Sequence, residues 1–130
     1  MISFVWTMPA VLAGRKTVTR RPWKASHAKK FHEGDLIAAY TKLPRRGGRQ
    51  AATLRLTGDA YEEPTSAIPA SDFEAEGFAF LEQSGLNVNG LPAREYWEKR
   101  LQAAPTENLW VVRYELVEVM DEPAAPSATT

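Results

Sequence analysis

Short apolar patterns divide the first part of the chain into a strand, a helix and an extended segment. Ile2–Trp6 is β-branched and aromatic, which predicts a strand. Pro9 suits the first turn of a helix that runs to about Ala13 and stops at Gly14. Arg15–Trp23 mixes charged and β-branched residues and predicts a loop that enters an extended segment.

A β-hairpin with a basic loop is predicted next, after a polar stretch at 27–33 and a Gly34-Asp35 turn. Asp35–Lys42 alternates in polarity, so Leu36, Ala38 and Tyr40 are expected on one half-buried face. The segment LPRRGGRQ carries turn glycines and forms the loop. The second strand places one apolar face inward, formed by Ala52, Leu54 and Leu56.

The centre of the chain predicts one amphipathic helix. Ser71 and Glu74 have capping-box spacing, and the helix should run from about Asp72 to Gln83. Helical geometry places Glu76 at the edge of its apolar stripe. Gly77 beside it lowers helix propensity by roughly 1 kcal/mol relative to alanine.

The remaining chain predicts a second helix at about Ala93–Ala103 and a strand at Leu109–Met120. In that strand Trp110, Val112, Tyr114 and Leu116 should face inward. The elements together predict an α+β fold, a small sheet or partly open barrel of about five to six strands with two to three flanking helices. We expect one domain at 1–120 and a disordered tail at 121–130.

Composition excludes several classes of protein. The 130 residues suffice for one domain with its own core, and 44% of them are hydrophobic. The chain has no cysteine, which excludes disulfides, thiolate metal sites and cysteine nucleophiles. No apolar run reaches the ~20 residues of a membrane helix, and the first residues lack a signal-peptide pattern. A cytoplasmic location and a monomer are the default expectations.

The net charge of zero conceals an uneven distribution of charge. The chain up to Arg55 has twelve Lys/Arg and two acids, whereas the remainder has four and fourteen. This asymmetry is typical of a surface that binds a polyanion such as RNA. Alternatively, the two halves neutralise each other in the fold.

The densest candidate chemistry lies in LAGRKTVTRR, residues 12–21. This segment combines four cations with two hydroxyls: Arg15, Lys16, Arg20 and Arg21 with Thr17 and Thr19. Such groups can bind a phosphate or a polar base edge, although an ordinary solvated turn has the same composition. Glu76 is the acid best placed for catalysis, because partial burial raises a carboxyl pKa. It could equally be a structural partner of an arginine.

Aromatic and metal-binding candidates are weaker. Trp6, Trp23, Tyr40 and Tyr61 could stack on a base, but Trp6 and Tyr40 occupy strand positions and are interpreted as core. His27 and His32 have no supporting ligand pattern, so we expect neither a metal nor another cofactor.

Four parts of the chain carry a family pattern: Leu12–Arg21, the Gly34-Asp35-Leu36 turn, Glu76-Gly77-Phe78 and the strand around Trp110–Tyr114. Together they resemble the ASCH domain family over about Ile2 to Val119. The resemblance implies a PUA-like fold with a cleft for RNA or a nucleoside. Family members include N4-acetylcytidine amidohydrolases and ribonucleases. In the amidohydrolases Lys16 matches the general base, Thr19 the nucleophile and Glu76 the proton donor, while Arg21 matches a following arginine.

Four hypotheses follow for the function. The first is an ASCH domain whose basic cleft binds RNA or a modified nucleoside, with hydrolysis of an N4-acyl cytidine through Lys16, Thr19 and Glu76 as its possible reaction. The second is a non-catalytic RNA-binding module. Its contacts would be Arg15, Thr17, Arg20, Arg21, Trp23, Lys42, Arg45, Arg46 and Arg49. Ribonuclease activity in the same cleft, and an interaction domain without a nucleic-acid ligand, are the alternatives.

Overall fold

The computed structural model describes residues 1–101 and 106–120. The chain forms a mixed α+β fold built on a curled half-barrel sheet, which confirms the predicted fold class. The strands are β1 (Ile2–Ser3), β2 (Val18–Arg21), β3 (Leu36–Tyr40), β4 (Gln50–Leu56), β5 (Tyr61–Pro64), β6 (Asn87–Val88), β7 (Leu91–Pro92) and β8 (Asn108–Val119). The helices are short: α1 (Met8–Leu12), α2 (Ala25–Ala28), α3 (Asp72–Ala75), α4 (Phe78–Gln83) and α5 (Ala93–Tyr96), which continues as a π-helical turn at Trp97–Leu101.

The order of the strands in the main sheet is β1-β3-β4-β8-β2, and β5 also pairs with β8. All these pairings are antiparallel except the parallel pair β1–β3. The sheet curls until its two terminal strands approach each other. There Arg21 Nη2 donates a hydrogen bond to the Ser3 carbonyl at 2.8 Å. We call this junction between β1 and β2 the seam.

Two apolar clusters stabilise the fold. One fills the inside of the curled sheet and includes Phe4, Leu54, Val112 and Tyr114. The other lies between the sheet and the helices and includes Phe78, Leu81, Trp97 and Leu109. The first half of β8 is therefore buried on both faces, because Val111 packs away from Val112 and both are fully buried.

Several predicted elements are confirmed. Helix α1 stops at Gly14, whose φ is +72°, and the extended segment follows as β2. The basic segment joins β3 to β4, and Ala52, Leu54 and Leu56 are buried as predicted. The predicted tail at 121–130 lies outside the described residues, as does the end of the second helix.

The predicted inward face of β3 is wrong. Ala39 is fully buried and Ile37 packs on the core, whereas Leu36 is 61% exposed. The reason is that the strand reads Leu-Ile-Ala-Ala-Tyr, so both of its faces are apolar and a two-residue period selects neither.

The predicted central helix is also wrong, because it is two helices separated at Gly77. This glycine has a φ of +85°, and a Cβ added there would lie 2.6 Å from Ala10 Cβ and 3.0 Å from Lys16 Cβ. The break lets α1 and the following loop approach closely. The expected capping box does not form either: Ser71 makes no side-chain cap, and Glu74 pairs with Arg15.

Gly77→Ala is expected to lower the free energy of unfolding by about 2–4 kcal/mol, because it adds steric overlap to the cost of a left-handed backbone. Gly85 is a matched control, since it follows α4 with a φ of +69° and open space around its Cβ position. Gly85→Ala should cost only about 1 kcal/mol. Urea unfolding of both variants measures the difference, and equal losses would contradict the close-packing explanation.

Candidate functional site

A cavity of about 270 Å³ opens at the seam. One wall is polar and consists of Lys16, Thr19, Arg20, Arg21 and Glu76. The other walls are mainly apolar and include Phe4, Val5, Trp6, Phe78, Val88, Tyr96 and Leu101, with Arg100 beside them. The volume lies near the lower end of the range for small-molecule sites, about 300–1,000 Å³.

Lys16 and Glu76 form a buried ion pair on the polar wall. Lys16 Nζ donates to Glu76 Oε1 at 2.8 Å and to the Glu76 carbonyl at 3.0 Å. Each residue is only 4% exposed. Backbone contacts hold the loop that carries Lys16, because Lys16 N–H donates to the Ala10 carbonyl and Thr17 N–H to the Ala75 carbonyl. The ion pair thus joins α1, the loop and α3 at one point.

Thr19 lines the same cavity from β2 and is 3% exposed. Arg21 Nε donates to Thr19 Oγ1 at 3.0 Å, and the two residues share one face of the strand. The strand begins only at Val18, so Lys16 reaches the cavity from the preceding loop. This is how residues three positions apart converge, which regular strand geometry would prevent.

The groups around Lys16 shift the pKa of its ammonium in opposite directions. Burial lowers the pKa of the Lys16 ammonium, and Glu76 raises it without restoring its usual value. Arg21 and Arg20 lower the pKa of Lys16 further. This lysine therefore releases a proton more readily than an exposed lysine does.

Arg21 is a partly buried cation, and the described residues hold no acidic partner for it. Within the described residues no carboxylate lies at ion-pair distance from its guanidinium, which contacts Ser3, Thr19 and the ring of Phe4. Burial lowers the pKa of Arg21, an effect that nearby Tyr114 and Glu76 oppose. Tyr114 lies on the same face of the sheet, and its buried hydroxyl makes no hydrogen bond within the described part of the chain. Burial and the Glu76 charge raise the pKa of Tyr114 well above 10, so this hydroxyl keeps its proton.

Arg20, in contrast, is surrounded by acids. Its Nη1 donates to Glu76 Oε2 at 2.7 Å, its Nη2 pairs with Glu63 at 3.0 Å, and it also bonds Asp72. Burial alone would lower the pKa of Arg20, but the three carboxylates outweigh it and raise the pKa. Arg20 therefore fixes the free oxygen of Glu76 and is committed to protein groups in this structure.

Asp72 links Arg20 to Arg113 and gives the network a pH dependence. Burial opposes ionisation of Asp72, but Arg113 and Arg20 together hold the pKa of this carboxyl below its usual value. A carboxyl whose folded pKa is lowered contributes stability above its unfolded pKa of about 3.9, and this contribution disappears as pH falls further. We expect the unfolding free energy to fall more steeply below about pH 5 in the native chain than in Asp72→Asn. Urea titrations at several pH values measure both slopes, and parallel curves would contradict this role.

The other predicted binding residues lie outside the cavity lining. Arg15 pairs with Glu74 at the surface, and Thr17 contributes backbone hydrogen bonds to α3 and β8. Trp23 stacks on Phe31 with ring centroids 4.7 Å apart. The basic loop is exposed at Lys42, Arg45, Arg46 and Arg49. It begins just after Tyr40, whose carbonyl accepts a hydrogen bond from the cavity residue Phe4.

Sequence reasoning missed part of the cavity. Trp6 was interpreted as core but is 47% exposed and lines the cavity. The sequence pattern points to neither Tyr96 nor Arg100 as a cavity residue. These two residues come after the β6–β7 hairpin, far along the chain from Lys16. A local sequence pattern therefore cannot connect them to the same cavity.

No helix within 1–101 and 106–120 is long and apolar enough to cross a membrane. In the same residues, no group of three or more His, Asp or Glu side chains could hold a metal ion.

No protein-family model and no curated protein matches this chain significantly. Its fold is similar to the crystal structure of protein EF3133 from Enterococcus faecalis V583, which is described under the family model DUF984. The TM-score is 0.54 at 20% sequence identity, over 88% of this chain and 72% of that one. At this identity the similarity shows a shared fold and nothing more.

Proposed function

We propose that this protein is an ASCH-type amidohydrolase that removes the acyl group from an N4-acyl cytidine. Thr19 is the nucleophile, Lys16 the general base and Glu76 the general acid. One observation carries the proposal: Lys16 and Thr19 from one segment and Glu76 from a distant one are all at most 4% exposed and line one cavity. The resemblance of residues 14–21 and 76–78 to the ASCH family agrees with this assignment.

The reaction uses these groups in two stages. Thr19 Oγ attacks the acyl carbonyl while Lys16 Nζ takes the hydroxyl proton. Glu76 protonates the N4 nitrogen as the C–N bond breaks, which releases cytidine and leaves an ester on Thr19. Water then hydrolyses this ester, which releases the acyl group as a carboxylic acid and restores the Thr19 hydroxyl. Arg21 stabilises negative charge that develops next to Thr19, because its Nε already donates to Oγ1.

The Lys16–Glu76 pair explains how a base and an acid can coexist in one site. The resting ammonium–carboxylate pair and the reactive amine–carboxylic acid pair contain the same number of protons. A proton moved along the 2.8 Å hydrogen bond interconverts them without exchange with solvent.

The electrostatics of the cavity favour a small ligand over a polymer in this site. Of its polar-wall cations, Lys16 and Arg20 are neutralised by acids, and Arg21 carries the remaining positive charge. A phosphate backbone would need several unpaired cations, whereas an amide on a base needs few.

The direct test is to incubate the full chain with N4-acetylcytidine and to follow cytidine release by chromatography. Turnover above the uncatalysed rate that disappears in Thr19→Val supports the proposal. Absence of turnover at high protein concentration over pH 6–9 refutes it.

RNA binding by the loop between β3 and β4 is a second candidate, favoured by a separate observation. Lys42, Arg45 and Arg46 are exposed, and none of them has an ion-pair partner among the described residues. Affinity for single-stranded RNA should fall with salt at a log–log slope near −0.7 for each phosphate contacted. Replacing Lys42, Arg45 and Arg46 with glutamine should flatten that slope by about two units, and salt-independent binding would count against the loop.

A further inference from the structure

Trp6 lies at the rim of the cavity in an unusual environment for an indole. It is 47% exposed, whereas Trp97 is 5% exposed within the helical cluster and Trp23 stacks on Phe31. The neighbouring Val5 is 59% exposed as well. Large apolar side chains normally bury most of their surface, so two adjacent exposed ones beside a cavity indicate a contact surface.

The backbone on either side of Trp6 is fixed. Phe4 N–H donates to the Tyr40 carbonyl at 2.8 Å, which attaches the segment to β3. On the other side, the Thr7 carbonyl accepts hydrogen bonds from Ala10 and Val11 at the start of α1. The indole is therefore presented from a short, tethered segment, and little ordering is needed when a ligand binds.

The cavity has two chemically different parts around this ring. The groups that can recognise polar atoms lie together, at Lys16, Thr19, Arg21 and Glu76, whereas Trp6 contributes a flat apolar face. A ligand that satisfies both parts has a planar ring with polar atoms along one edge. Aromatic rings stack on such faces with little dependence on sequence or substituent.

We propose that Trp6 is the stacking platform for the heterocycle of the ligand and selects planar, aromatic rings over puckered ones. This inference rests on the proposed function for the class of ligand, but not on hydrolysis. Trp6 contributes to binding equally before and during the reaction, so its loss raises KM and leaves kcat nearly unchanged.

The experiment compares two ligands on the full chain by isothermal titration calorimetry. Cytidine has an aromatic ring, whereas tetrahydrouridine has a saturated, puckered ring with the same sugar. The native protein should prefer cytidine, and Trp6→Ala should weaken cytidine binding roughly 5- to 150-fold with a much smaller effect on tetrahydrouridine. Trp6→Phe, which keeps a ring, should restore part of the preference.

Trp23→Ala is the matched control, because Trp23 is also partly buried but lies outside the cavity lining. It should bind cytidine as the native chain does, and circular dichroism confirms that each variant is folded. Cytidine binding that depends on Trp6 without hydrolysis of N4-acetylcytidine would refute the amidohydrolase and support the platform. The platform is refuted if cytidine does not bind, if Trp6→Ala binds it as the native chain does, or if both ligands lose affinity equally.

Discussion

Thr19→Val is expected to reduce the hydrolysis of N4-acetylcytidine by at least about 10³-fold, because it removes the attacking oxygen and keeps the shape of the side chain. The hydroxyl accepts a hydrogen bond from Arg21 Nε in a site that is 3% exposed. The substitution leaves that buried donor without this partner, so a loss of about 1–3 kcal/mol in stability is expected as well. Initial rates and urea unfolding, measured on the same sample, separate the two effects.

Two controls distinguish a nucleophile from a structural hydroxyl. Thr19→Ser keeps the attacking oxygen and should retain substantial activity. Thr17→Val removes a hydroxyl two residues earlier, outside the cavity lining, and should leave the rate nearly unchanged. Comparable rate losses in Thr19→Val and Thr17→Val would show that the hydroxyl of Thr19 is not the nucleophile.

Replacement of Arg20 by leucine is expected to give the largest loss of stability, about 3–5 kcal/mol, because it removes the cation that three largely buried carboxylates share. Lys16 and Arg113 then remain as partners of Glu76 and Asp72 only. The Arg20 side chain is 2% exposed and contacts Glu63, Asp72 and Glu76, whose side chains are 13%, 5% and 6% exposed. Removing one partner of a buried ion pair costs far more than the pair itself contributes, because the other charges stay desolvated.

Arg15→Leu is the matched control for this effect. Arg15 pairs with Glu74, which lies on α3 as Asp72 does. The Arg15 and Glu74 side chains are, however, 39% and 51% exposed. Solvent screens such a pair, and its loss should cost about 0–1 kcal/mol. Equal losses in the two variants, measured by urea unfolding, would contradict the buried-network explanation.

The fold class could be predicted from the sequence because several of its signals are local. Gly14 ends α1, and the alternation at Ala52, Leu54 and Leu56 identifies the core face of β4. The break at Gly77 could not be predicted in this way. A lone glycine inside a helical pattern is often tolerated, and here the break follows from contact with Ala10, sixty-seven positions earlier.

Only part of the candidate site could be predicted from the sequence, because some of its contacts form between segments that are distant in the chain. Lys16, Thr19 and Glu76 carry reactive groups that a family pattern connects, and the structure places them on one cavity. The commitment of Arg20 to acids depends on β5 and α3, which approach it only in the folded chain. The opposite charges of the two halves of the chain partly neutralise each other in the fold. Arg15, Lys16, Arg20 and Arg55 all pair with acids from the second half.

The contact between Arg21 and Ser3 has a consequence for how such a site can diversify. The strands β1 and β2 are the two edges of the main sheet, and a side-chain hydrogen bond joins them in place of a ladder of backbone hydrogen bonds. The separation of these strands therefore depends on the length and charge of this side chain as well as on the core packing of Phe4. Substitution at position 21 would change the width of the entrance while the hydrogen bonds within the rest of the sheet stay in register.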